Sequence, residues 1–194
     1  MSQNSNISYL NFIKKSGISS FLQNKPKVFY EKNTDGDKIL DNNYNKANNI
    51  KELELLVNQL NTINFQNNPN KYTIGTGNEN SKILIISEFP VEENMKIRSF
   101  SAESEKLLEK MLNSINLNKR DIYISNIIPW LVDKNKVIKN SDILKSLPFI
   151  QKQIEIIKPK IILLLGNIAA KSVLGSNLDF VKLRGYWHKY QSIN

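Results

Sequence analysis

Four stretches of the chain carry side chains or backbone suited to chemistry. Ser87-Glu88-Phe89-Pro90-Val91 sets a carboxylate directly after an apolar run. There Glu88 is able to position a water molecule or stabilise a cation, and equally able to be a solvated loop carboxylate. Asn126 closes a second apolar run, a place where asparagine also occurs simply as a turn residue. Gly166 stands where a third run, ending at Leu165, feeds a helix N-terminus; that is an anion site or a glycine needed only for a tight turn. Gly75-Thr76-Gly77 has the look of a dinucleotide loop, but it precedes a strand and lacks the third glycine, which excludes that reading.

Hydrophobic periodicity supplies the elements that must position these residues. Lys82–Ile86 and Lys160–Leu165 are continuous apolar runs, which predicts strands buried on both faces, and Asp121–Ile128 predicts a further strand. Apolar residues at helical spacing predict helices over Ser5–Lys15, Ala47–Ile63, Ser101–Ile115, Ser141–Ile157 and Asn167–Leu174. In Ser101–Ile115 the expected core stripe is Leu107, Leu108, Met111, Leu112 and Ile115. The polar, turn-rich segment Asn24–Asn49 reads as a loop or strap. From Lys82 onward strand and helix alternate, which predicts an α/β fold: one domain with a short parallel sheet flanked by helices. Residues 1–63 form its N-terminal helices and connecting loop, and 64–194 its core. Ligands of such sheets sit beyond the carboxyl ends of the strands, where Ser87, Glu88, Asn126 and Gly166 fall.

Composition narrows the function classes. The 194 residues include no cysteine, which excludes disulfides, iron–sulfur clusters, thiolate zinc sites and cysteine nucleophiles. The one histidine, His188, argues against a histidine-rich metal site, so neither a metal nor a cofactor is expected. No apolar run reaches membrane-spanning length and no signal sequence is evident at Met1, so the expectation is a cytoplasmic protein without a membrane role. The net charge of +9 suggests a polyanionic partner such as nucleic acid. A compositional origin competes, because 24 of 27 basic residues are lysine and 28 residues are asparagine, the bias of an AT-rich genome.

Longer motifs follow one another along nearly the whole chain: Tyr9-Leu-Asn-Phe-Ile-Lys-Lys-Ser-Gly17, Ser87–Val91, Ser99-Phe100 through Leu107-Leu108, Tyr123-Ile-Ser-Asn126-Ile-Ile128, Leu147-Pro148-Phe149, Ile157–Ala169 and Arg184-Gly-Tyr-Trp187-His188-Lys-Tyr190. In this order they resemble the family 4 uracil-DNA glycosylases and their alphaproteobacterial relatives. The resemblance implies the glycosylase α/β fold and hydrolysis of the glycosidic bond of a uracil flipped out of DNA, the first step of base excision repair. It makes Asn126 the reader of uracil O4 and N3–H, Phe100 the ring on which the base stacks (its other reading being a core residue at a helix start), and Glu88 the carboxylate that orients water or favours a cationic sugar. Ser87 lines the same pocket. The partner implied is uracil-containing DNA, met by a monomer.

The departures from the family pattern are expectations too. Ser87 and Val91 replace the two glycines of the motif Gly-Glu-Ala-Pro-Gly; valine resists positive φ and is expected to intrude on the pocket. The family's Arg-Pro-Pro-Gly-Asn-Arg loop is replaced by Leu131–Lys136. The family's four-iron four-sulfur cluster has two of its cysteine positions at Trp130 and Ser146, so no cluster is expected. The family continues into a further strand and a His-Pro-Ser-Tyr-Leu-Leu segment that this sequence does not contain, and His188 reads as structural. The resemblance therefore implies a C-terminally truncated fold with an exposed sheet edge and impaired catalysis. A non-catalytic DNA-binding remnant, or the product of a decaying gene, is the alternative.

Overall fold

The computed structural model describes residues 46–64, 72–132, 138–176 and 178–190. The expected helix Ser5–Lys15 and nearly all of the expected loop Asn24–Asn49 lie outside them, as does part of Leu131–Lys136. Two strands whose residues are apolar on both faces form the centre of the sheet. β2 (Ile83–Ser87) pairs in parallel with β5 (Ile122–Asn126), and on its other side with β6 (Ile161–Leu164). β1 (Thr76–Gly77) adds a short antiparallel pairing to β5, giving the order β1-β5-β2-β6. A separate hairpin, β3 (Val91–Glu93) with β4 (Lys96–Arg98), leaves the end of β2.

Alternation along the strands divides the core into two layers. Leu84, Ile86 and Tyr123 face a cluster with Ile50, Leu53 and Val57 of α1 (Ile50–Asn64) and Ile143, Phe149, Ile150 and Ile154 of α3 (Asn140–Ile157). Ile85, Ile122 and Ile124 face the opposite way, onto Leu112 of α2 (Ala102–Asn113). The result is a sheet between helical layers, as the alternating pattern requires. α4 (Asn167–Leu174) follows β6 directly, and a single turn, α5 (Phe180–Leu183), comes after it. The start of α2 is fixed twice: the Ser101 side chain accepts the Ser104 N–H, and Glu93 of the hairpin accepts the Ala102 N–H at 2.7 Å. Among the described residues no helix is long and apolar enough to cross a membrane.

Three expectations are corrected. β6 is not buried on both faces: it is an edge strand among the described residues, with Ile161 and Leu163 40% and 46% exposed. Its other face, Ile162 and Leu164, packs against the main core. The α2 stripe also splits. Leu108 and Leu112 pack on the sheet, whereas Leu107 and Met111 are exposed, because one α-helix resting on two strands buries a narrow arc, and Ile115 is exposed in the turn past the helix end. Finally, Val91 does not meet a positive-φ requirement. It opens β3, paired with Arg98, and the left-handed positions are Asn94 and Met95 in the hairpin turn.

The rejected Gly75-Thr76-Gly77 loop has a packing role. Gly77 lies at φ +124°, and a Cβ there would come 2.4 Å from the Ile122 carbonyl oxygen. Gly185, at φ +83°, has open space around it. Gly77→Ala is therefore expected to lower unfolding free energy by about 2 kcal/mol or more, from strain plus displacement of β5. Gly185→Ala carries the backbone term alone, roughly 1 kcal/mol. Urea unfolding of both variants checks the ranking.

Candidate functional site

The register of β2 with β5 ends both strands at the same height, with Ser87 opposite Asn126. Two bonds carry the pairing beyond the strands: Ile127 N–H donates to the Ser87 carbonyl at 2.8 Å and Ile128 N–H to the Glu88 carbonyl at 2.9 Å. Asn126 is held there at 1% exposure. Its Nδ2 donates to Ser87 Oγ at 2.5 Å and to the Ser99 carbonyl at 3.3 Å. Ser99 comes from the link between β4 and α2 and is itself buried. Asn126 Oδ1 and Ser99 Oγ have no hydrogen-bond partner among the described residues. A buried polar atom left unpaired costs about 1–3 kcal/mol, so two beside one another single out this strand end.

Glu88, one residue further, turns to the opposite side. Its Oε1 accepts the Ile168 N–H at 2.8 Å, in the first turn of α4. Gly166, at φ +106°, lies so close that a Cβ would come 2.5 Å from the same oxygen. The turn needs glycine, and the helix N-terminus is taken by the protein's own Glu88 carboxylate. A carboxylate so placed is stabilised by the helix dipole by about 0.3–1 kcal/mol and cannot swing freely.

Of the four expected site residues, the fold brings Ser87 and Asn126 into direct contact and fixes Glu88 on the neighbouring turn. Phe100 follows Ser99, and its ring packs partly buried against Ile85, Leu112, Ile122 and Ile124. Ser99 has no local signal that would single it out; only the return of the hairpin to the strand ends places its carbonyl and hydroxyl at Asn126. Arg98 and Lys119 lie 3.6 and 2.9 Å from Glu105.

His188 is engaged elsewhere, with Nε2 donating to the Leu183 carbonyl at 3.0 Å at the end of α5. Nearby, Tyr190 packs on the main core, and burial, reinforced by Glu155, pushes its phenol up to about 12. A cleft of about 750 Å³ opens between β6 and this segment, lined by Leu163, Gly166, Phe180 and Trp187. It touches the candidate site only at Gly166. The positions implied for cluster ligands do not suit an iron–sulfur group. The chain has no thiol, Trp130 is buried in the main core, and Ser146 Oγ lies 2.9 Å from the Ile143 carbonyl of its own helix.

Residues 74–193 match the family model described as the uracil DNA glycosylase superfamily. The chain is similar to the type-4 uracil-DNA glycosylase of Archaeoglobus fulgidus, 33% identical over 114 residues, or 58% of this chain and 57% of that protein. It is similar to that of Saccharolobus solfataricus, 34% identical over 95 residues (48% of this chain, 44% of that one). For that of Thermotoga maritima the identity is 29% over 120 residues (61% and 62%). The chain spans about half the length of the curated relatives it matches.

The Glu88–Gly166 contact gives a thermodynamic expectation. Gly166→Ala lowers stability by about 2 kcal/mol, through the positive φ and the collision with the carboxylate. In a Glu88→Ala background the collision is gone, and the cost of Gly166→Ala falls by about 1 kcal/mol. A double-mutant cycle by chemical denaturation reads the coupling.

Proposed function

The chain belongs to the uracil DNA glycosylase superfamily, and on that premise we propose that it recognises uracil extruded from DNA and hydrolyses the bond between the base N1 and the sugar C1′. The observation that carries this reading is the buried Asn126 at the end of β5, with its Oδ1 unpartnered among the described residues. Uracil presents an N3–H donor beside the O4 acceptor; cytosine presents an acceptor beside an amino group. A fixed carbonyl oxygen at the pocket floor therefore attracts the N3–H of uracil and repels N3 of cytosine.

In the reaction a water oxygen bonds to C1′ as the N1–C1′ pair leaves with the base, and the proton that this water loses neutralises the departing base anion. The Glu88 carboxylate, held rigid by Ile168, supplies negative charge opposite the sugar as it becomes cationic. Phe100 offers a ring for base stacking, worth about 1–3 kcal/mol per base. The net charge of +9 favours DNA as partner through displacement of its counterions, and the reading takes the protein to act as a cytoplasmic monomer. The tie of Glu88 to α4 favours a second reading as well: binding of uracil-containing DNA without turnover, since a carboxylate oxygen already bonded is less able to orient water.

Single-turnover cleavage of a uracil-containing oligonucleotide separates the two. The expected outcome is product from the wild type and a loss of roughly 100-fold in Asn126→Ala. Tight binding of the uracil oligonucleotide with no product selects the second reading, and equal behaviour of the two proteins toward uracil and thymine oligonucleotides rejects both.

A further inference from the structure

Both protons of the Asn126 amide nitrogen are committed inside the protein, to Ser87 Oγ at 2.5 Å and to the Ser99 carbonyl at 3.3 Å. The Ser99 carbonyl also fixes which way the amide faces. Turned over, Oδ1 would stand against another acceptor, which is repulsive. The amide therefore presents only its oxygen for a ligand, and that oxygen is the one without a partner. A reader built this way has no amide proton left for a carbonyl on the base.

Ser87 supplies what is missing. A hydroxyl that accepts from Nδ2 still has its own proton and a second lone pair, and the proton rotates to suit its partner. Among the described residues Ser87 Oγ has no other hydrogen-bond partner. Strand pairing places it directly opposite Asn126. Resting on the reading of this strand end as a uracil pocket, we propose that Ser87 is the residue that meets position 4 of the base and relaxes the selectivity set by Asn126. Its hydroxyl meets the exocyclic group at position 4 of the base, while Asn126 Oδ1 accepts N3–H. The hydrogen bonds then run from Nδ2–H to Oγ and from Oγ–H to O4, each polarising the next.

The consequence is a change in what the pocket rejects. An amide N–H tolerates only an acceptor at position 4. A hydroxyl tolerates an acceptor or, by rotating, an amino group. Discrimination between uracil and cytosine then depends on the single bond from N3–H to Oδ1. Removing the hydroxyl returns one Nδ2 proton to the pocket, where it faces O4 directly and repels an amino group. Ser87→Ala sharpens selectivity instead of weakening it.

The test is equilibrium binding by fluorescence anisotropy, which needs no turnover. The probes are duplexes carrying 2′-fluoro-2′-deoxyuridine or 2′-fluoro-2′-deoxycytidine, whose fluorine resists glycosidic cleavage, or a tetrahydrofuran abasic analogue at one position, each opposite a second abasic analogue so that base pairing does not compete. The expected result is a cytosine-to-uracil Kd ratio about tenfold larger in Ser87→Ala than in the wild type. Ser87→Thr, which keeps the hydroxyl, holds the wild-type ratio, and Asn126→Ala binds uracil and cytosine alike. A ratio unchanged in Ser87→Ala, with Asn126→Ala still losing preference, overturns the role of Ser87 and leaves the uracil reading standing. A wild type that binds uracil no better than the abasic analogue overturns both. Circular dichroism confirms that each variant is folded, and Ser87→Gly, which also removes the hydroxyl, carries the comparison should Ser87→Ala unfold: a tenfold rise in its ratio supports the proposal and an unchanged ratio refutes it.

Discussion

The parallel pairing of β2 with β5, in a register that ends both strands together, is the constraint on which the candidate site depends. It is driven by burial. Leu84, Ile85 and Ile86 are each within 1% of complete burial, and the facing Ile122, Tyr123 and Ile124 are nearly so. A slip of one residue would carry every one of these side chains to the wrong layer. The same register that protects the core therefore fixes Ser87 against Asn126, and the polar contact inherits the precision of the apolar one. Sites built on rigid strand ends are held more precisely than sites built on loops alone.

Around this pair the structure brings distant segments to one end of the sheet. The β3–β4 hairpin returns Ser99 to Asn126 and caps α2 with Glu93. The β6–α4 turn brings Ile168 and Gly166 to Glu88. Two kinds of polar group result: those fully bonded within the protein, such as Glu88 Oε1, and those left without a partner, Asn126 Oδ1 and Ser99 Oγ. The first kind holds geometry, and the second kind is where a ligand gains most from binding, because the cost of burial is already present in the free protein.

The sheet is covered unevenly. The layer holding α1 and α3 is extensive, while the opposite layer rests on α2 and leaves Ile161 and Leu163 of β6 partly open to the cleft beside Trp187, itself 87% exposed. The exposed Leu107 and Met111 lie on α2, the only helix packed on that face among the described residues, and the exposed Ile115 lies in the turn just past it. This asymmetry places the best-packed part of the molecule behind β2 and β5, where the site needs rigidity.

The sequence by itself determined the elements that periodicity encodes. β2, β5 and the helices α1, α3 and α4 fall where apolar spacing put them, to within about three residues at each end, and Ser87, Glu88, Asn126 and Gly166 stand at the strand ends as expected. Spacing is a local property, set by which faces of a segment are buried, and so it can be read locally. What it could not reveal is which faces neighbours cover or which atoms they satisfy. The openness of β6 and the split stripe of α2 depend on how many elements share a layer. The hydrogen bonds of the site join residues 27, 39 and 80 positions apart: Asn126 to Ser99, Asn126 to Ser87, and Ile168 to Glu88. Only the tertiary structure decided that Gly166 faces a carboxylate of its own chain and that Ser99 belongs to the site. It alone decided that Asn126 presents an oxygen and not a nitrogen, because hydrogen-bond direction is fixed by the partners that folding brings into reach.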